Sequence, residues 1–194
     1  MIKGEDETKR YLGESNLGAL RECIERGFYR YFTLPADVLA DMLPRTRAML
    51  IQNFIIVEAH KRFFGSVEIR NARGLFILDF GEVQVRFKKF NKKLRPQNIL
   101  TKQTIAYLVQ EPLFGIPWAT KLIAGYQPNK VHADIQCIAI VCPNGNEYFW
   151  HFYLEKTSRP VVPLREDQQH GVGARVRPKE DFKDEKTGDD DKGV

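Results

Sequence analysis

Residues able to hold a metal or a redox centre are few in this chain: three cysteines and four histidines in 194 residues. The cysteines, Cys23, Cys137 and Cys142, are odd in number and lack CxxC spacing. That argues against a disulfide framework and a thiolate zinc site, and it fits a reducing, cytoplasmic setting. No run of about 18 apolar residues occurs, so a membrane-spanning helix is not expected. The opening Met1-Ile2-Lys3-Gly4-Glu5-Asp6-Glu7 is charged where a signal peptide carries its apolar stretch, so classical secretion is not expected either. GxGxxG, GxxxxGK(S/T), GxSxG and a Cys–His nucleophile signature are all missing. Nucleotide-cofactor chemistry and a hydrolase triad therefore lack support, and no cofactor is expected.

What is present suffices for one packed domain: 43% of the residues are hydrophobic and 28% charged, well away from the composition of disordered chains. The net charge of +5 is unevenly distributed. Between Val85 and Pro96 lie Arg86, Lys88, Lys89, Lys92, Lys93 and Arg95 with no acid among them, whereas the far end is rich in acids from Glu180 to Asp191. From about Arg159, Pro160, Pro163, Gly171, Gly173 and Pro178 interrupt a stretch with few apolar residues. The organisation expected is a polar N-terminal segment over 1–14, a single α+β domain over 15–157, and a disordered acidic and basic tail over 158–194.

Periodicity sets the elements. Leu17, Leu20, Cys23, Ile24 and Phe28 recur at helical spacing behind a Ser15 cap. A short helix follows Pro35, and Pro44 opens a longer one to about Phe64 whose buried stripe is read as Met49, Leu50, Phe54, Val57 and Lys61 to Phe64. The period then drops to two over Ser66 to Arg70, Leu75 to Phe80 and Val83 to Lys89, a β-meander. A helix from Thr101 to Gln110 is followed by strands at Ala119 to Tyr126, His132 to Cys142 and Glu147 to Glu155, the last two joined at Asn144-Gly145. This predicts an α+β fold: N-terminal helices, then a mostly antiparallel sheet in the order β-β-β-α-β-β-β, covered by helices on one face.

The strand Glu82 to Lys88 sends Val83, Val85 and Phe87 to one side and Glu82, Gln84, Arg86 and Lys88 to the other. Read structurally, the second side is a solvated face; read functionally, it continues into Lys89, Lys92, Lys93 and Arg95 as a surface for phosphates, or for an acidic protein. The α-β-β-β-α-β order with nearby carboxylates also resembles the metal-dependent nuclease core of the PD-(D/E)xK type, with Asp79 and Glu82 as catalytic candidates. The pattern departs from that type: only a turn separates the acids, Gln84 stands where a lysine is required, and no Pro-Asp pair precedes the second strand. His132, Asp134 and Gln136 share a face of the strand expected at His132 to Cys142, and His151 on the neighbouring strand makes a possible metal cluster with His132 and Asp134.

A set of short motifs then enters: Arg86-Phe87-Lys88-Lys89, Asn98, Thr101-Lys102-Gln103, Gln110, Gly115-Ile116-Pro117, Gly125-Tyr126, and Trp150 before Leu154. Through these, the stretch from about Met49 to Leu154 resembles a family of bacterial proteins encoded beside a regulator that joins an Xre-type helix-turn-helix to an ImmA/IrrE-like metallopeptidase domain. The resemblance implies a toxin-antitoxin or phage-defence gene pair, with this chain as the toxin-like effector and the regulator as its cognate partner. It supplies no catalytic residue; Gln103 and Gln110 join the candidate binding residues by motif match and polarity. Two classes remain: an effector acting on nucleic acid through the basic strand and loop, and a non-enzymatic module that binds an acidic partner protein.

Overall fold

The structure, a computed structural model, describes residues 1–155 except 73, 98–100, 114 and 116. The tail expected over 158–194 lies outside the described residues. The elements are α1 (Glu5–Tyr31), α2 (Ala36–Ala40), α3 (Pro44–Phe63), β1 (Glu68–Ala72), β2 (Leu75–Asp79), β3 (Val83–Lys89), α4 (Lys102–Leu108), β4 (Thr120–Pro128), β5 (Ile135–Asn144) and β6 (Glu147–Tyr153). The six strands form one sheet in sequence order, antiparallel throughout except for the parallel pair β3 and β4. A parallel pair needs a crossover. The long connection that carries α4 provides it, so the fold is the expected α+β with its helices, meander and C-terminal hairpin.

The two long helices cover one face. Leu20, Ile24 and Phe28 of α1 and Ile51, Ile55, Ala59 and Phe63 of α3 pack on Val83, Val85, Phe87, Leu122, Ala124 and Ile140. The helices approach so closely at Gly27 that a Cβ there would lie 2.5 Å from the Ile55 backbone nitrogen. This contact selects the Ile51-Ile55-Ala59-Phe63 stripe of α3, whose members recur every fourth residue. Met49 and Val57, expected inside, are exposed.

Two boundaries depart from the sequence reading. The helix begins at Glu5 rather than Ser15, with Gly13 (φ 68°, ψ 161°) kinking it. The kink shifts the phase of the pattern, and the acids Glu5, Asp6 and Glu7 suit a helix N-terminus. Thr8 and Leu12 are buried, and the Trp150 Nε1–H donates to the Lys3 carbonyl (2.9 Å), so residues 1–14 belong to the domain. The other departure is at β5, which starts at Ile135, leaving His132 and Asp134 in the preceding turn.

The opposite face is covered at its centre by α4 and the loop before it. Tyr107, Leu108, Phe90, Leu94 and Leu113 pack there on Ile77, Ile123, Ala139 and Val141. Thr101 caps α4 by accepting from the Thr104 N–H. The polar side of β3, read as a solvated face, therefore lies partly beneath a helix.

Candidate anion-binding site

The basic segment divides three ways, because alternation along β3 and the turn after it aim its residues differently. Arg86 is only 7% exposed, with its guanidinium carbon 4.8 Å from the centroid of the Tyr107 ring. Burial pulls its pKa below the ordinary value. It is a core residue, unable to meet a phosphate backbone. Lys88, next on the same side, is half-buried, and burial together with the Arg86 charge pushes its ammonium down to about 8. Arg95 pairs with Glu147 at 2.7 Å.

Lys92 and Lys93 are exposed at the tip of the loop after β3. The Asn91 side-chain oxygen shapes that loop by accepting from the N–H groups of Lys93 (2.9 Å) and Arg95 (3.0 Å), while buried Leu94 anchors it at a φ of 53°. Lys89 turns to the face of α1 and α3, where it lines a cavity of about 120 Å³ together with Arg47, His132, Tyr126, Phe28 and Ile51.

That cavity draws a basic side chain from each of three elements: Arg47 from α3, Lys89 from β3, and His132 from the turn between β4 and β5. No carboxylate is among its described lining residues. The Arg47 Nε–H donates to the Tyr31 hydroxyl (3.1 Å), and the guanidinium sits over that ring, so its position is held by α1. The His132 turn is tied by the Asn129 side-chain oxygen, which accepts from Ala133 N–H (3.0 Å), and by His132 N–H donating to the Asn129 carbonyl (3.0 Å). His132 itself has a φ of 57°, a left-handed conformation uncommon outside glycine, although asparagine, aspartate and histidine adopt it more often than other side chains do. Lys89 is shifted down by burial and by Arg47; His132 is shifted down by burial, then by Lys89 and Arg47. In both, burial acts first and the neighbouring positive charge adds to it, although His132 itself is an exposed residue.

The remaining candidates are structural or dispersed. Asp79 is buried and accepts from Arg70 Nε–H (2.7 Å), Gly81 N–H (2.9 Å) and Gln84 Nε2–H (3.3 Å). Glu82, exposed in the adjoining turn, pairs with Lys3 at 2.6 Å. The tight turn places one acid inside and the other outside, so the two do not converge. Asp134 accepts from the Tyr29 hydroxyl, whose pKa burial and Asp134 raise to about 12, and from the Ile135 N–H. His151 lies between Tyr148 and Tyr153 on β6. The described residues contain no group of three histidine, cysteine or carboxylate side chains placed to hold a metal ion.

Gln103 is half-buried on α4. Gln110, also left-handed at φ 63°, donates from Nε2 to the carbonyls of Lys121 (2.8 Å) and Pro143 (3.0 Å) and accepts from Lys121 N–H (2.8 Å), pinning β4 to β5. Asn98 and Ile116 of the resemblance motifs lie outside the described residues.

Arg47 was the residue missed from sequence. It sits in an amphipathic helix among Arg45, Arg62 and Lys61, and no local signal separates it from a solvated arginine. Comparison of the chain with protein-family models, curated proteins and solved structures returned no match, so the functional reading rests on this geometry.

Proposed function

We propose that the protein binds single-stranded nucleic acid on the rim formed by Arg47, Lys89 and His132 and by the adjoining loop lysines Lys92 and Lys93. The observation carrying this reading is the convergence of two cations, Arg47 and Lys89, and the His132 imidazole from separate elements on one cavity with no carboxylate in its described lining. Accumulated like charge costs stability unless an anion offsets it. Lys92 and Lys93 are exposed on the loop that leaves β3 directly after Lys89 and Phe90 and add solvated positive charge. The proposal is one of binding, since the two carboxylates considered for cleavage are committed to Arg70 and Lys3.

The test is fluorescence anisotropy of a short single-stranded RNA and DNA across a salt series. Affinity should fall steeply with salt, each phosphate contact adding about 0.7 to the logarithmic slope. Joint Lys92→Glu and Lys93→Glu substitution should flatten the slope while leaving stability within about 0.5 kcal/mol, since both side chains are solvated. Absence of salt-dependent binding by the folded wild type overturns the proposal.

The wider role, an effector in a toxin-antitoxin or phage-defence pair with an Xre/ImmA-IrrE-type regulator as partner, rests on the resemblance alone. Growth of cells expressing the chain with and without the neighbouring gene tests it. A second reading, a module that docks an acidic partner protein, is favoured by Phe149 and Tyr153, about half exposed on edge strand β6. It predicts that such a partner, and no nucleic acid, is lost on reversing the same lysines.

A further inference from the structure

The cavity between Arg47, Lys89 and His132 is recessed, and that sets it apart from the loop lysines. A phosphodiester backbone is a chain of single negative charges running past a surface, for which solvated lysines such as Lys92 and Lys93 suffice. A recess of about 120 Å³ exceeds many times the roughly 10–15 Å³ that one water requires. It is large enough for a compact tetrahedral oxyanion. Its basic side chains also have complementary geometries: a planar guanidinium for a bidentate contact, an ammonium as a point charge, and an imidazole able to add a third donor.

Two features show that the recess is built rather than incidental. Arg47 is held from behind by the Tyr31 hydroxyl and ring, which restricts its side chain before any ligand arrives. His132 is held in a left-handed conformation that a histidine adopts at a cost, and the Asn129 turn enforces it. Backbone strain maintained by surrounding hydrogen bonds is the pattern of a residue placed for its side chain. The apolar walls, Phe28, Ile51 and Tyr126, limit competing water, which strengthens charge-assisted hydrogen bonds inside. The neighbouring acid, Asp134, is engaged by the Tyr29 hydroxyl and by Ile135 N–H.

We propose that this recess is a subsite for a dianionic phosphate monoester, the terminal phosphate of a nucleic-acid strand, bound by Arg47, Lys89 and His132. The inference rests on the nucleic-acid reading for the source of the phosphate, whereas the recognition of a phosphate monoester rests on the recess alone. A terminal monoester carries more charge than an internal diester and can enter a recess end-on, so the site would read the end of a strand and the loop lysines its body.

The experiment compares one single-stranded oligonucleotide carrying a 5′-phosphate, a 3′-phosphate or hydroxyl ends, with inorganic phosphate as a separate probe followed by NMR of the His132 imidazole. A terminally phosphorylated strand should bind at least tenfold tighter than the hydroxyl form, and Lys89→Gln should abolish the difference. His132→Asn is the second variant: asparagine tolerates the left-handed backbone, so the turn survives while the imidazole is lost. It should also reduce the preference. Inorganic phosphate should raise the His132 pKa, since a bound anion favours the imidazolium.

Equal binding of all three oligonucleotides with unchanged salt dependence, and a silent His132, overturns the subsite and leaves the nucleic-acid reading standing. A His132 shift with inorganic phosphate when no oligonucleotide binds upholds the phosphate site and overturns its assignment to a strand end.

Discussion

The two faces of the sheet meet their covering layers with different chemistry. Beneath α1 and α3 the central strands contribute Val83, Val85, Phe87, Leu122 and Ala124, all apolar and essentially out of water. Beneath α4 the same strands contribute Gln84, Arg86 and Lys121, buried among Ile77, Ile123 and Val141. An apolar face needs only complementary shape, but a buried polar group also needs a partner for each donor and acceptor. The second face accordingly enlists side chains to hold the main chain. The Tyr107 hydroxyl lies 2.7 Å from the Leu122 carbonyl and 3.0 Å from that of Gln84, and Gln110 clamps β4 to β5. One face is specified by packing, the other by hydrogen bonds, and the recess lined by Arg47, Lys89 and His132 opens on the packed side, where Lys89 leaves β3.

The largest effect expected from this contrast is at Phe87, which is 1% exposed and stacked on Phe76 at 6.3 Å. Phe87→Ala should cost about 3–5 kcal/mol by removing core volume, seen as a lowered thermal midpoint. A cost below about 1 kcal/mol would mean that the two faces of β3 are assigned the wrong way round.

Tyr107→Phe probes the other face with the ring retained under Arg86. It deprives the Leu122 carbonyl of its donor and should cost about 1–3 kcal/mol in chemical denaturation. A neutral outcome would break the comparison, because the second face would then be held by packing as the first is.

A smaller, pH-graded effect is expected at Lys88, whose partial exposure lets water screen it. Its ammonium is depressed to about 8 in the fold against an ordinary value of 10.5, so between these values the unfolded chain binds more protons. Lys88 therefore makes a contribution to stability that rises as pH climbs from about 8 to 10.5. Buried thiols raised to about 12 at Cys23 and Cys142 act in the opposite sense above pH 9, so the informative quantity is wild type minus Lys88→Gln. That difference should grow across the window. A flat difference would place Lys88 in solvent and sharpen the boundary of the buried layer.

How far the sequence could be read differs by element. The alternation of β3 was legible because period two has no competing solution, and so was the hairpin of β5 and β6, closed by Gly145 at a φ of 61°. The stripe of α3 was not, since apolar residues occupy several of its faces and only the Gly27 contact selects one. At the candidate site, Lys89, Lys92 and Lys93 were found as a run of charge. Arg86 was found with them and belongs to the core, because helix α4 covers the polar face there. His132 was noticed as a metal candidate on a strand, and the strand begins three residues later, at Ile135.

Composition, period and turn chemistry are local properties, and by themselves they determine that this chain forms helices followed by a six-stranded α+β sheet with a basic segment leaving its third strand. Which of those basic residues are buried, paired or free is decided by groups distant along the chain. Tyr107 takes Arg86 out of solvent, Glu147 pairs Arg95, and Arg47 and His132 join Lys89 across three elements. Such meetings depend on where α4 crosses the sheet and on how α1 and α3 seat against each other. Charge alone fixes neither, because a lysine or arginine is compatible equally with solvent, an aromatic face or a carboxylate until the packing of its neighbours has been settled.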